Sequence, residues 1–362
     1  MLRFVPLTVA EVRPESEDAT AVTLEVPAAE RATFRCRAGQ HIVLRLPLEG
    51  AEQRRTYSLV SAPAELPLRI IVRHIPGGRM SQYLARALRA GARLEAMPPT
   101  GSFGAHTAAG THGQYLAIAA GCGITPVFAI IRELLERDRA SQVVLLYGNR
   151  ALQRIMLLEE LLALKDRHMA RFAPHFFLSR ETQECGLPGG RIDAATLRAA
   201  AGNLFSPAAV VEGFMCGPSD MGESLTGVLR ELGVSAAPLH VEHFTAAAAG
   251  SAGTAAAPLR APSVAPGAGL TQVTVTLDGR RRSFAMRTGL QTILEAAGAA
   301  GIDLPFSCCA GVCSTCRTKL LSGRVRMDEN YALEPDELAQ GYILACQARA
   351  ETPQLELTYD ET

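Results

Sequence analysis

Residues 307–316 read "SCCAGVCSTC". Four cysteines fall within ten residues, and four thiolates are enough to hold one metal centre. Counting alone suggests a self-contained site, but the spacing divides it. Cys308, Cys313 and Cys316 fit C-x4-C-x2-C, the spacing of plant-type two-iron proteins, whose fourth cysteine lies further along the chain. Cys346, in "GYILACQA", supplies that sulfur, which leaves Cys309 as the extra residue. The competing reading is structural zinc held by Cys308 and Cys309 with Cys313 and Cys316. Such sites pair two C-x2-C-like knuckles, and two adjacent cysteines would strain the closure. Small Ala310 and Gly311 between the ligands let backbone N–H groups turn toward cluster sulfurs.

Outward from this loop the chain is ordinary in bulk. Its 362 residues exceed what one core supports and predict two or three domains. Formal net charge is zero, with 36 basic and 36 acidic residues. That balance leaves no electrostatic footprint for nucleic acid and no basic run for a membrane surface. Trp is absent, so base-stacking platforms are not expected. No sustained apolar stretch opens the N-terminus, which therefore does not resemble a signal peptide. The uncharged stretch Tyr115–Ile131 approaches membrane-spanning length, but "GCGITP" at its middle marks a turn followed by a helix start. Nine cysteines without a secretion signal point to a reducing, cytoplasmic setting, where clustered cysteines bind metal more often than they pair.

Composition places the boundaries. Residues 1–108 alternate short Val/Leu/Ile/Arg stretches such as "AVTLEV" and "LRIIVRHI" with Gly/Pro turns, which predicts an antiparallel barrel. Residues 109–244 alternate strands ("YLAIAA", "QVVLLYG", "PHFFLS", "AVVEGFMCG") with helices, which predicts a parallel sheet covered by helices. Residues 245–269 are nearly all Ala, Gly, Pro, Ser and Thr and read as a flexible linker. Residues 270–362 open with a hairpin around the Asp-Gly of "TLDGRR", followed by a short helix and the cysteine loop.

Several motifs sit where a nucleotide could bind. In "RRTYSL" strand alternation puts Arg55 and Tyr57 on one face and Ser58 on the other. An Arg can clamp phosphate and a Tyr offers a flat ring, although such a pair is usually plain barrel surface. In "VRHIPGGRMSQYL" the glycines allow close backbone approach. Ser81 there stands at a helix start, with its hydroxyl and the free N–H groups around it available to a pyrophosphate; an ordinary capped turn is the competing reading. "MPPTGSFG" could line a cofactor edge, or be a plain loop. In "GCGITP" Thr125 suits an N-cap and Pro126 a first helical position, with the two glycines leaving room for a dinucleotide. Arg150, Ser179 and Arg180 follow strand-like runs, where ligands of open α/β sheets bind. Two Arg and a Ser there suit a 2′-phosphate and favour NADPH, unless they are solvated loop charges. Cys216, in "CGP", could be a buried small hydrophobe.

The order "RTYS", "GGRMS", "GCGITP", "CGP" and then C-x4-C-x2-C…C resembles the ferredoxin–NADP⁺ reductase superfamily fused to a C-terminal plant-type ferredoxin domain. "MPPTGSF", "YGNR" with "IMLLEEL", "LSRE" and "GYILACQA" are similar to the phenylacetyl-CoA epoxidase reductase branch, and ketosteroid hydroxylase reductases share the layout. The resemblance implies an antiparallel β-barrel FAD domain, an α/β parallel-sheet nucleotide domain and a β-grasp [2Fe–2S] domain. It implies that Arg55, Tyr57 and Ser58 contact flavin phosphate, isoalloxazine and N5, and that Arg73, Gly78 and Ser81 hold the FAD pyrophosphate. Gly121, Thr125 and Pro126 would seat the nicotinamide nucleotide, Ser179 and Arg180 would read its 2′-phosphate, and Cys216 would lie near the nicotinamide. Relatives with this order can use FMN; the GGxxS stretch favours FAD. One departure is Cys309, where such loops commonly carry Arg, Lys or another non-cysteine.

The implied function is electron-number conversion: NADPH gives a pair, a cluster carries one electron, and a flavin must stand between. No E-x-x-H pair or haem motif is present, so electrons are expected to pass to a separate oxygenase, the phenylacetyl-CoA epoxidase first among them. The rivals are an NADH-using reductase of another ring- or steroid-hydroxylating oxygenase, and a non-catalytic iron–sulfur scaffold.

Overall fold

A computed structural model describes residues 4–61, 63, 65–104, 113–137, 139–181, 189–234, 237–244, 269–333 and 335–361. All but the last residue of the expected linker lies outside the described residues. The N-terminal region carries β1 (Val5–Ser16), β2 (Ala19–Glu25), β3 (His41–Leu48), β4 (Ala51–Ser58), β5 (Leu68–Arg73), α1 (Arg79–Arg86) and β6 (Arg93–Ala96). These strands form the six-stranded barrel sheet, ordered β4-β3-β6-β1-β2-β5. β1 pairs antiparallel with both β2 and β6. Its alternating burial from Val5 to Val9 is what a strand with one wet face requires.

The next stretch supplies β7 (Gln114–Ala120), α2 (Ile124–Arg137), β8 (Gln142–Asn149), α3 (Leu158–Arg167), β9 (Phe172–Leu178), α4 (Ala194–Ala200), β10 (Val210–Gly217), α5 (Ser219–Glu231) and β11 (Leu239–His243). The strands form a five-stranded parallel sheet, order β11-β10-β7-β8-β9. β7 and β8 are continuous apolar runs because both of their faces are covered by helices. The apolar stretch that approached membrane length is thus β7, a tight turn and α2. No described helix is long and apolar enough to cross a membrane.

The C-terminal region holds β12 (Leu270–Leu277), β13 (Arg280–Arg287), α6 (Ile293–Ala299), β14 (Arg317–Ser322), β15 (Val325–Met327), α7 (Pro335–Ala339), β16 (Tyr342–Leu344), β17 (Ala348–Ala350) and β18 (Gln354–Thr358). Its mixed sheet runs β13-β12-β18-β14-β16, with β12 and β18 parallel, and α6 packs against it in a β-grasp arrangement. The β12–β13 hairpin closes through Asp278 and Gly279, both at positive φ, as the two-residue turn demands. Asp360 accepts both turn N–H groups, at 2.7 and 2.8 Å. α6 starts on a full capping box, with Thr292 and Glu295 each satisfying the other's backbone N–H.

The chain divides into two compact units, Val5–Ile42 with Tyr57–Ala246, and Met1–Phe4 and Val43–Thr56 with Ala247–Thr362. In the first unit a single core joins barrel residues (Val60, Ile71, Phe103) to the buried face of α2 and to Phe214 of β10. In the second, Val273, Phe284, Ile293, Leu344 and Leu357 enclose the inner side of the cysteine loop with Cys316 and Cys346.

The closest backbone approach behind the nucleotide turn is at Gly123, where an added Cβ would lie 2.1 Å from the Cys216 carbonyl oxygen. Gly123→Ala must push β10 away from the start of α2, and we expect it to cost about 3 kcal/mol, as overpacking of rigid neighbours does. Gly227→Ala, on an open face of α5, is expected to stabilise by roughly 0.5–1 kcal/mol by removing unfolded-state freedom. Thermal midpoints of the two variants should shift in opposite directions; a midpoint that does not fall in Gly123→Ala would refute this account of Gly123.

Candidate functional site

Parallel pairing puts the carboxyl ends of β10, β7, β8 and β9 on one edge of the sheet, where α/β proteins take their ligands. Gly121–Gly123 forms one tight helical turn after β7, and α2 follows it directly. Thr125 therefore does not cap the helix from outside. It lies in the first turn, where its hydroxyl donates to the Cys122 carbonyl at 2.9 Å, and Pro126 follows within the helix. The expected boundary is one to two residues late because the preceding turn runs straight into the helix. The two glycines also serve protein contacts: Gly123 admits Cys216, and Gly121, at φ +55, admits the Arg73 guanidinium, whose Nη1 lies 2.6 Å from where a Cβ would stand. Tyr147, buried in β8, fixes this turn by donating to the Gly121 carbonyl at 3.0 Å while accepting from the Met156 N–H.

Arg73 ends β5, forms an ion pair with Asp18 at 3.6 Å, and its buried Nε has no hydrogen-bond partner among the described residues. An arginine left with unspent donors beside a glycine turn fits a phosphate group. Ser81 is engaged within its own turn. Its hydroxyl donates to the Gly78 carbonyl (3.0 Å) and accepts from the Ile75 N–H (3.2 Å), closing the turn before α1, which Gly78 caps. The hydroxyl expected to face a pyrophosphate is spent on shaping the loop, which leaves backbone N–H groups of the turn for that task. On β4, Arg55 and Tyr57 are half-buried and Ser58 is buried, in accord with alternation. Arg55 donates to the Arg54 carbonyl at 2.7 Å. In "MPPTGSFG" the loop turns Phe103 inward, edge-on to Phe214 with centroids 6.1 Å apart.

Arg150, Ser179 and Arg180 come together and are exposed at the ends of β8 and β9. The Ser179 N–H donates to Asn149 and the Arg180 N–H to Arg150, both at 2.9 Å. Cys216, fully buried on β10, directs its thiol toward Glu242 Oε2 at 3.8 Å, and its register partner on β11 is the same Glu242. Burial first, and the Glu242 carboxylate second, hold this thiol well above its ordinary range, so it is a neutral donor rather than a thiolate. Glu242 escaped the motif reading, although its place near the end of the strand "LHVEH" was a usable signal; Tyr147 gave none beyond its strand.

Cys309 and Ser314 sit at φ 52 and 51, and Gly311 at φ 72, which coils the cysteine loop inward. Among the described residues no three His, Cys, Asp or Glu side chains converge as they would on a single metal ion. The four sulfurs fall instead into two hydrogen-bonded pairs, Cys308 with Cys313 and Cys316 with Cys346. Two pairs are what a two-iron centre asks of four thiolates. The donor surroundings agree: the Ala310 N–H points at Cys308 Sγ (3.4 Å) and Gln347 Nε2 at Cys346 Sγ (3.7 Å). Hydrogen bonding from Cys316, helped by the Gly311 N–H, lowers the Cys346 thiol, while the same bond and then burial raise Cys316. Cys309 is exposed, and its carbonyl accepts from Gln347 at 3.0 Å.

Known protein families match the chain in three successive regions. Residues 6–104 match the oxidoreductase FAD-binding domain, residues 117–226 the oxidoreductase NAD-binding domain, and residues 275–351 the 2Fe-2S iron-sulfur cluster binding domain. The chain is 39% identical over 360 residues to one of the subunits of the 1,2-phenylacetyl-CoA epoxidase of Escherichia coli (strain K12), covering 99% of both. It is 33% identical to the ferredoxin reductase component of 3-ketosteroid-9-alpha-monooxygenase of Rhodococcus rhodochrous, covering 99% of this chain and 97% of that one. Phthalate dioxygenase reductase shares the fold, with a TM-score of 0.56 at 22% identity and 98% of each chain covered. The cofactors are FAD, a [2Fe–2S] cluster and a pyridine nucleotide, and the chain belongs to the ferredoxin–NADP⁺ reductase superfamily, among the oxidoreductases with a C-terminal [2Fe–2S] domain that serve as reductase components of oxygenases.

Proposed function

We propose that this chain is the NADPH-dependent reductase of a phenylacetyl-CoA epoxidase, acting in the cytoplasm in phenylacetate breakdown. The observation that carries the reading is full-length similarity to a protein of that epoxidase, joined to two thiol pairs in the C-terminal loop. The bound groups supply the redox chemistry: hydride acceptance by FAD and one-electron delivery by [2Fe–2S] to the oxygenase. The domain limits we adopt are 1–108 for FAD, 109–244 for the nucleotide, 245–269 for the linker and 270–362 for the cluster.

The residues of the chain then have binding and orienting work. Arg55, Tyr57 and Ser58 hold the flavin on β4, with Arg73, Gly78 and the turn closed by Ser81 at its phosphates. Gly121, Thr125 and Pro126 shape the nucleotide seat. Arg150, Ser179 and Arg180 offer two cations and a hydroxyl to a 2′-phosphate. Cys216 stands as a neutral thiol beside the nicotinamide position, its proton shared with Glu242. Cys308 with Cys313 would hold one iron and Cys316 with Cys346 the other. A reductase of a steroid-hydroxylating oxygenase is the second reading, favoured by the 33% identity to the ketosteroid system.

The nucleotide assignment predicts that NADPH outperforms NADH in kcat/KM. Arg180→Ala and Arg150→Ala should each lower the NADPH value about tenfold or more, as loss of a charge-assisted contact does, with NADH little changed. Equal use of both nucleotides by the unaltered protein would remove this role.

Cysteine substitution separates the ligands from the bystander. Cys346→Ser should lose the visible absorption and iron of the cluster, whereas Cys309→Ser should keep both, and the reverse result would overturn the ligand set. For the partner, purified chain should support epoxidation of phenylacetyl-CoA when mixed with the oxygenase component of that system. Support of a ketosteroid oxygenase alone would favour the second reading.

A further inference from the structure

Arg54 lies on β4, at the edge of its sheet, yet its side chain is only 7% exposed. Apart from Glu52, the residues that contact it are distant in sequence, and all belong to the same compact unit. Its Nη2 donates to both carboxylate oxygens of Asp303, at 3.2 and 3.4 Å, while its Nε donates to Glu52 at 2.7 Å. The flat face of the guanidinium lies over the Phe306 ring, 4.3 Å from its centroid, and within 5.2 Å of Phe4. Two residues on, the Thr56 hydroxyl donates to the Ser307 hydroxyl at 2.8 Å, and Ser307 is buried. A guanidinium can do this because it presents a donor fork at its edge and an apolar-tolerant face.

The positions involved are informative. Asp303, Phe306 and Ser307 all fall within the five residues before Cys308, the first expected cluster ligand. Arg54 and Thr56 alternate along β4 with Arg55 and Tyr57, so the two sets leave opposite faces of one strand. With a rise of about 3.3 Å per residue, the two sets are offset along the strand by only one residue.

We propose that Arg54 and Thr56 form a positioning clamp that seats the cluster-bearing domain, through Asp303, Phe306 and Ser307, on the back of the strand that reads the flavin. The proposal rests on the reading of β4 as the flavin strand. The clamp is small and reversible. It consists of one ion pair whose carboxylate is 68% exposed, one ring contact and one hydroxyl pair, so the domain can leave it and present the same face to the oxygenase. Arg54 and Asp303 are positioning residues that set where the cluster stands; they take no part in binding either group.

The test uses the full holoprotein with Asp303→Arg, Arg54→Asp and the double exchange, each checked for bound FAD and for iron. Amide hydrogen exchange over residues 51–56 should rise about tenfold in Asp303→Arg, the scale expected when a like charge replaces a partner of a buried cation. Exchange should return to within about threefold of the parent value in the double exchange. In rapid mixing with reduced nucleotide, bleaching of the flavin should keep its rate while reduction of the cluster slows about tenfold in the single variant. If Asp303→Arg loses its cluster, Asp303→Asn is measured instead, with a smaller rise of the same sign. Unchanged exchange and unchanged cluster reduction would overturn the clamp. Loss of flavin bleaching in the parent protein would instead overturn the proposed function, while the exchange data still decide the clamp.

Discussion

The nucleotide half of this protein depends on one close approach, the backbone of β10 at Cys216 against the backbone of Gly123. Glycine is the residue that permits it, since the space a Cβ would need is filled by a carbonyl oxygen 2.1 Å away. The approach brings the end of β10 against the start of α2 and thereby fixes the turn at Gly121–Gly123. From the β8 side the Tyr147 hydroxyl holds the same turn by its carbonyl. Four groups of different chemistry then occupy one sheet edge: the Arg73 guanidinium, the Cys216 thiol, the Glu242 carboxylate and the first turn of α2. Tight packing is what makes such an arrangement durable, because a core at crystal-like density does not allow these backbones to drift.

Much of this is legible in the sequence, and the reasons are local. The cysteine loop declares itself because metal ligation constrains spacing more tightly than packing does. "YLAIAA" declares a buried parallel strand because both of its faces must be apolar, and "DG" declares a two-residue hairpin because two consecutive positive φ values are needed. Arg150, Ser179 and Arg180 follow strand-like runs, and adjacent parallel strands bring them together. What the sequence hides is of another kind. The Ser81 hydroxyl looks available by its position but closes its own turn, a competition between backbone and ligand that spacing does not reveal. Thr125 sits inside α2 because a tight turn precedes the helix. Glu242 and Arg54 act through partners 26 and 249 residues away, and no local pattern encodes such pairings.

Cys309 illustrates how a loop can carry a cysteine without using it. Its backbone is at φ 52, a region in which non-glycine residues are uncommon, and its side chain is exposed while those of Cys313, Cys316 and Cys346 are buried. The left-handed turn here points successive side chains apart. Cys308 is thereby turned toward Cys313, and its neighbour toward solvent. What the loop requires of position 309 is its backbone: the carbonyl accepts from Gln347, whose amide also reaches Cys346 Sγ. A side chain that faces out is free of packing demands, which accounts physically for a cysteine being tolerated here.

The two halves of the chain solve opposite problems with the same backbone rules. On the proposed nucleotide side, N–H groups at a turn and a helix start would face anionic phosphate, so a cation such as Arg73 beside them is favourable. On the cluster side, N–H groups of residues 310 and 311 face anionic sulfur, and no basic side chain is needed in the loop because the amides do that work. Positive charge also stands on β4, where Arg54 and Arg55 are neighbours with divergent directions and both act on the Cys309 thiol. One is neutralised by Glu52 and Asp303; the other donates to its neighbour's carbonyl. A strand that buries a paired cation on one face and leaves a second cation half-buried on the other presents different chemistry to its two sides.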